Sequence, residues 1–122
     1  MRTDEFDDEL FDRILAVAED DATVSTVSHK RPNWISSVER TGVWVETERS
    51  RDRKSGPQLV PAWMITVAWN HLQQNGTLAS VYLLKQLKVH RSTFVCALLA
   101  RFPDVEVRQN TPTILALADG PD

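Results

Sequence analysis

The sequence predicts a single α+β domain, on three observations. Apolar residues recur at helical spacing in three successive stretches of the second half. Those stretches are followed by two short segments of alternating pattern, and a lone strand pattern surrounds Gly42 in the first half. With 122 residues, 42% of them hydrophobic, the chain is long enough for one modest core.

An amphipathic helix is expected over residues 4–19, where Phe6, Leu10, Ile14 and Val17 or Ala18 share a face. Thr3 or Asp4 would cap it, and acids in its first turn suit the helix dipole. Glu19, Asp20 and Asp21 put like charge at the negative end, so the helix should fray there. Ala22–Ser28 is β-prone and polar. Pro32 breaks the chain, a short helix or turn is read at 33–39, and a strand at about 42–48. Residues 49–57, RSRDRKSGP, read as a charged loop.

The clearest helix covers 61–74, with Pro61 in its first turn, a stripe of Ile65, Ala68, Trp69 and Leu72, and Asn75-Gly76 as its stop. Thr77-Leu78 is a brief extended link. Ser80 would cap a helix at 81–87 whose apolar positions are Val81, Leu84 and Leu87, with Leu83 alongside. A further helix is expected from about 91 to 102 on Phe94, Val95, Leu98, Leu99 and Phe102, ended by Pro103. Val105, Val107 and Gln109 alternate with Glu106 and Arg108 to give one strand. A turn at 109–112 leads to another at 113–118. The expected organisation is an N-terminal part, 1–60, packed on a C-terminal unit, 61–118, within one compact domain.

The net charge of −3 is an average over unlike parts. Residues 1–21 hold nine acids and two bases, a net of −7, so the remainder carries +4. Residues 29–54 and 85–108 each carry +3, and 55–84 contain no Asp, Glu, Lys or Arg. The acidic segment is therefore expected to point away from a basic face or to act as a brake upon it.

From residue 61 the order is helix, extended link, helix, tight turn, helix, β-hairpin. Within it, LLKQLKVHRSTFVCALL is similar to the signature in which Val-Ser-Arg-Ser-Thr-Val opens a recognition helix. Here that stretch is Val89-His90-Arg91-Ser92-Thr93-Phe94. On these residues, 61–118 resembles the winged helix-turn-helix family. The resemblance implies three helices and a C-terminal β-hairpin wing, preceded by the acidic helix and the short strand. It also implies a small DNA-binding protein, either a transcriptional regulator or a DNA-reading module of a prokaryotic or phage system. Helix 91–102 would lie in the major groove of double-stranded DNA.

On that reading Val89 points inward and His90, Arg91, Ser92 and Thr93 face the DNA, with Cys96 or Ala97 exposed on the next turn. Lys85, Lys88 and Arg108 would hold phosphates. The basic loop Arg49, Arg51, Arg53 and Lys54 would grip the backbone beside the recognition helix, and His29–Trp34 forms a third basic patch. Leu84 and Lys88 stand where the family usually has a small residue and glycine. A left-handed Lys88 would be costly, so a looser turn is expected.

The alternative is a winged-helix protein–protein module without nucleic acid. It would bind a second copy or another protein through the N-terminal helix or the uncharged stretch 55–84. Trp34, Trp44 and Trp63 are read as packing between the two halves rather than as a cage for a flipped base. No catalytic constellation emerges, so the chain is read as a non-enzyme. Single Cys96 and dispersed His29, His71 and His90 suggest neither metal nor cofactor. With no apolar run of membrane length and a polar start, a cytoplasmic location away from membranes is expected.

Overall fold

Helix α1 (Asp8–Asp20) begins where Asp7 accepts a hydrogen bond from the Leu10 N–H at 2.8 Å. This computed structural model describes residues 5–118. The helix starts later than its periodicity suggests, and the cap candidates Thr3 and Asp4 lie outside the described residues. Its acidic end does not fray. Arg101, 80 residues away, donates to the Asp21 and Thr23 carbonyls and to the Asp20 carboxylate, which supplies the missing positive charge.

Four antiparallel strands follow in the order β1 (Thr23–Ser25), β2 (Pro32–Glu39), β3 (Gly42–Thr47), β4 (Gln58–Pro61). The helix or turn expected at 33–39 is therefore strand β2. An irregularity in its pairing with β3 between Ile35 and Ser37 breaks the two-residue alternation that marks a strand. Nor is 49–57 wholly loop, because α2 (Glu48–Asp52) occupies its start. Thr47 and Ser50 form a reciprocal capping box there, with each side chain bonded to the other's backbone N–H. Among the described residues, no helix is long and apolar enough to cross a membrane.

Helix α3 (Ala62–Asn75) buries Ile65, Ala68, Trp69 and Leu72 as expected, and stops at left-handed Gly76. Strand β5 (Thr77–Ala79), helix α4 (Ser80–Lys85), helix α5 (Ser92–Leu99) and the hairpin β6 (Val105–Gln109) and β7 (Ile114–Leu117) complete the chain. The second sheet has the order β5-β7-β6. Ser80 is the first helical residue rather than a cap, and Ala79 precedes it without a side-chain bond. Of α4's expected apolar face, Leu83 is buried and Leu87 is packed against the core, while Val81 and Leu84 are exposed.

One continuous core joins α1, both sheets and α3 to α5. Its centre is α5, whose Phe94, Val95, Leu98 and Leu99 are buried as the periodicity requires. Cys96 and Ala97 are buried as well, because α5 packs against β1 on one side and α3 and α4 on the others. Cys96 is thus the small buried filler its mid-helix place suggests, and neither residue is the outward position the helix-turn-helix likeness implies. Burial raises the Cys96 thiol pKa to about 12. Each large apolar side chain so enclosed contributes about 1.5–3 kcal/mol. Phe6, Leu10, Ile14 and Val17 of the acidic segment belong to the same core. Removing residues 1–21 would therefore strip core as well as charge.

At the end of α5, Trp69 and Phe102 meet edge to face at 5.2 Å. The Arg13 guanidinium lies 4.8 Å from the Trp69 ring centre and makes two bonds to Asp104, at 2.8 and 3.1 Å. Those bonds hold the Asp104 carboxyl below its usual range. Asp104→Asn should lower stability by up to about 1 kcal/mol near neutral pH, since the pair is partly exposed and screened. A depressed folded pKa stabilises above the unfolded value and is lost on acidification. The difference between wild type and variant should therefore begin to shrink as pH falls through about 4, the unfolded value, and be lost only below the depressed folded value, in denaturant titrations. A second variant tests the close approach of β3 and β4. Gly42 has φ +154°, and an added Cβ would sit 2.4 Å from the Val60 carbonyl oxygen. Gly42→Ala should cost roughly 2–3 kcal/mol in thermal melts by pushing β4 off β3.

Candidate nucleic-acid interface

Lysines and arginines of the described chain fall into two groups. Arg13, Arg40, Arg51, Arg101 and Arg108 pair with Asp104, Asp8, Glu46, Asp20 and Glu106 respectively. Among the described residues the others form no ion pair, and they sit on three segments. Lys30 and Arg31 follow β1, Arg49, Arg53 and Lys54 lie in and after α2, and Lys85, Lys88 and Arg91 span the α4–α5 turn.

Those segments converge. A cleft of about 380 Å³ opens between the first sheet and the start of α5. Arg31 enters it from the β1–β2 connection, Arg49 from α2, His90 and Arg91 from the α4–α5 turn, and Thr93 from the first turn of α5. Asn33, Thr47 and Gln58 line its sheet side, and Glu48 is its acidic member. Arg91 is half-buried, and its guanidinium donates to the neutral Gln58 Oε1 at 3.3 Å. Desolvation lowers its pKa, yet a guanidinium stays charged at any working pH. The walls are held by local bonds: Thr26 Oγ1 accepts from the Arg31 N–H, and the Asn33 amide donates to the Val24 carbonyl.

Each basic segment turns on a lysine in the left-handed region, with φ of 56° at Lys30, 55° at Lys54 and 59° at Lys88. Such a conformation costs a non-glycine residue roughly 1–2 kcal/mol. The α4–α5 turn is thus the tight left-handed kind, and the looser turn expected from the lysine is corrected. Val89 fills the inward position of that turn, fully buried.

The residues singled out in the sequence divide accordingly. His90, Arg91, Thr93 and Arg49 share the cleft. Arg53, Lys54, Lys85 and Lys88 are exposed and do not line it. Ser92 is buried at 6% exposure, because α5 turns it into the core, and so it cannot meet a ligand directly. Arg51 stacks over Trp34 at 3.6 Å and pairs with Glu46. Arg108 is exposed but held by Glu106 at 2.7 Å. Trp34, Trp44 and Trp63 are half-buried, and none lines the cleft. No residue of α1 lines it either, and Asp8 and Asp20 are engaged by Arg40 and Arg101.

Sequence reasoning missed Gln58, Thr47 and Glu48. The capping-box spacing of Thr47 and Ser50 was available as a signal for α2, whereas nothing local marks Gln58. The β6–β7 hairpin tip is tied to the β1–β2 connection, since Ser28 Oγ donates to the Asn110 carbonyl at 2.7 Å and meets Thr113 Oγ1 at 3.0 Å. Comparison of the chain with protein-family models, curated proteins and solved structures finds no match.

Proposed function

We propose that this chain is a small winged-helix DNA-binding protein that grips double-stranded DNA through the cationic face around the cleft. The observation that carries this reading is the sorting of charge. Arginines with carboxylate partners are engaged by them, while every described lysine and arginine without one lies on three segments that meet at or beside one concavity. Counterion release by such a face supplies affinity for a polyanion despite a net charge of −3. Strained lysines at the tips of all three segments support it, because glycine would serve those turns more cheaply. So does the order α3-β5-α4-α5-β6-β7 with sheet order β5-β7-β6, which suits the winged-helix resemblance.

The mode of contact differs from the one the family likeness implies. With Ser92, Cys96 and Ala97 buried, α5 offers no outward stripe to lay along a major groove. Contact falls instead on its first residues and on the flanking basic loops. Backbone contacts then outweigh base contacts, which favours binding to many sequences over reading one.

A second reading, a protein–protein module, draws on the exposure of Val81, Tyr82 and Leu84 on α4, at 45, 42 and 43%. It predicts no salt-sensitive affinity for DNA.

Fluorescence anisotropy with random duplex DNA at about 50 and 200 mM salt separates the two. Arg91→Ala should weaken binding by about 1–3 kcal/mol, with Arg49→Ala acting in the same direction. Lys88→Ala and Lys54→Ala should each weaken binding to all sequences and reduce the salt slope by about one. Affinity that ignores salt and all four substitutions would sink the DNA assignment in favour of the protein module.

A further inference from the structure

The cleft is too small to admit a duplex, yet larger than a phosphate contact on a flat surface requires. Its volume of about 380 Å³ lies in the range of small-molecule sites. Arg31, Arg49 and Arg91 reach it from three separate elements, and among the described residues none of the three has a carboxylate partner. Guanidinium groups so disposed suit a phosphate monoester, which they can hold through paired N–H donors.

Besides the arginines, the lining carries groups that a bare anion would not use. Arg91 engages Gln58 through Oε1, which leaves the Gln58 amide N–H donors for a ligand. Glu48, the acid on the lining, repels phosphate but accepts from a sugar hydroxyl or a base amino group. Pro32 and Phe94 add apolar surface. Cations, an amide, a carboxylate and a small apolar wall together match the mixed chemistry of one nucleotide.

We infer that the cleft seats a single phosphorylated nucleotide, its phosphate among Arg31, Arg49 and Arg91 and its sugar or base toward Gln58 and Glu48. This rests on the nucleic-acid reading above and narrows it. The nucleotide comes either from a strand end or from a unit swung out of a duplex. Extrusion costs a few kcal/mol and is least costly where pairing is already lost.

The test uses the full chain. Nucleoside 5′-monophosphates, the unphosphorylated nucleosides and inorganic phosphate are titrated separately by calorimetry. Each is also offered as a competitor to a labelled duplex. The monophosphates should bind at least tenfold tighter than either inorganic phosphate or nucleoside. Arg91→Ala and Arg49→Ala, checked for folding by circular dichroism, should each lose tenfold or more, and Gln58→Ala should lose affinity for the monophosphate but not for inorganic phosphate.

Two duplexes identify the source. A 5′-phosphorylated overhang binding tenfold better than its 5′-hydroxyl form assigns the cleft to strand ends. A single unpaired internal nucleotide binding tenfold better than the intact duplex assigns it to a swung-out unit. Monophosphates that neither bind at millimolar concentration nor compete would overturn the inference. Salt-sensitive binding of the intact duplex would then leave the cationic face as a general backbone grip, whereas loss of that binding too would remove both readings.

Discussion

The fold depends on one short helix serving as core for everything around it. Helix α5 has eight residues and is covered by β1 on one side and by α3 and α4 on the others. Interiors are packed as densely as organic crystals, so a helix enclosed this way has no face left for another task. What remains free is its entry, the turn from Lys88 to Thr93, where the chain leaves the core and returns to it. The cleft is built at that entry because the rest of the helix is occupied.

Charge is arranged to fit the same constraint. The acidic helix is neither a free arm nor a lid. Asp8 and Asp20 hold Arg40 and Arg101, and Arg13 links the helix to Asp104 beneath the Trp69–Phe102 pair. Pairs at this degree of exposure are individually modest. Together they still engage three arginines on the side of the molecule that builds its core, so the unbalanced cations collect elsewhere. A negative net charge thus coexists with a local cluster of unpaired cations around the cleft.

Much of this was legible in the chain where the signal is local. Helix α3 announced itself by its stripe and by Asn75-Gly76, and the buried set of α5 followed its periodicity. Val89 stood out as the inward turn residue, and β6 as an alternating segment. Strand β2 was lost because an irregularity after Ile35 breaks the alternation that identifies strands. Helix α2 was overlooked through its charged composition, although Thr47 and Ser50 carry a capping signature. Arg101 closing the end of α1 lies 80 residues from its partner, and no window of sequence contains both. The outward position implied for Cys96 or Ala97 failed for a related reason. Helical spacing gives a helix's inward face, but here β1 covers the opposite one, and that contact is not local. Of the site, the three basic segments could be read, but their meeting point and Gln58 could not.

Placing the cationic cleft at the mouth of the core helix, rather than along it, shapes how such a protein can diverge if that cleft binds as proposed. Substitutions within 94–99 are paid in stability, so that stretch is held nearly fixed whatever the ligand. Variation in what is bound must come from the connections around residues 29–31, 49–54 and 88–91, whose exposed side chains can change without disturbing packing. Descendants of this fold would then share an almost invariant centre and differ at its rim, and kinship among them would be traced by the former while preference is set by the latter.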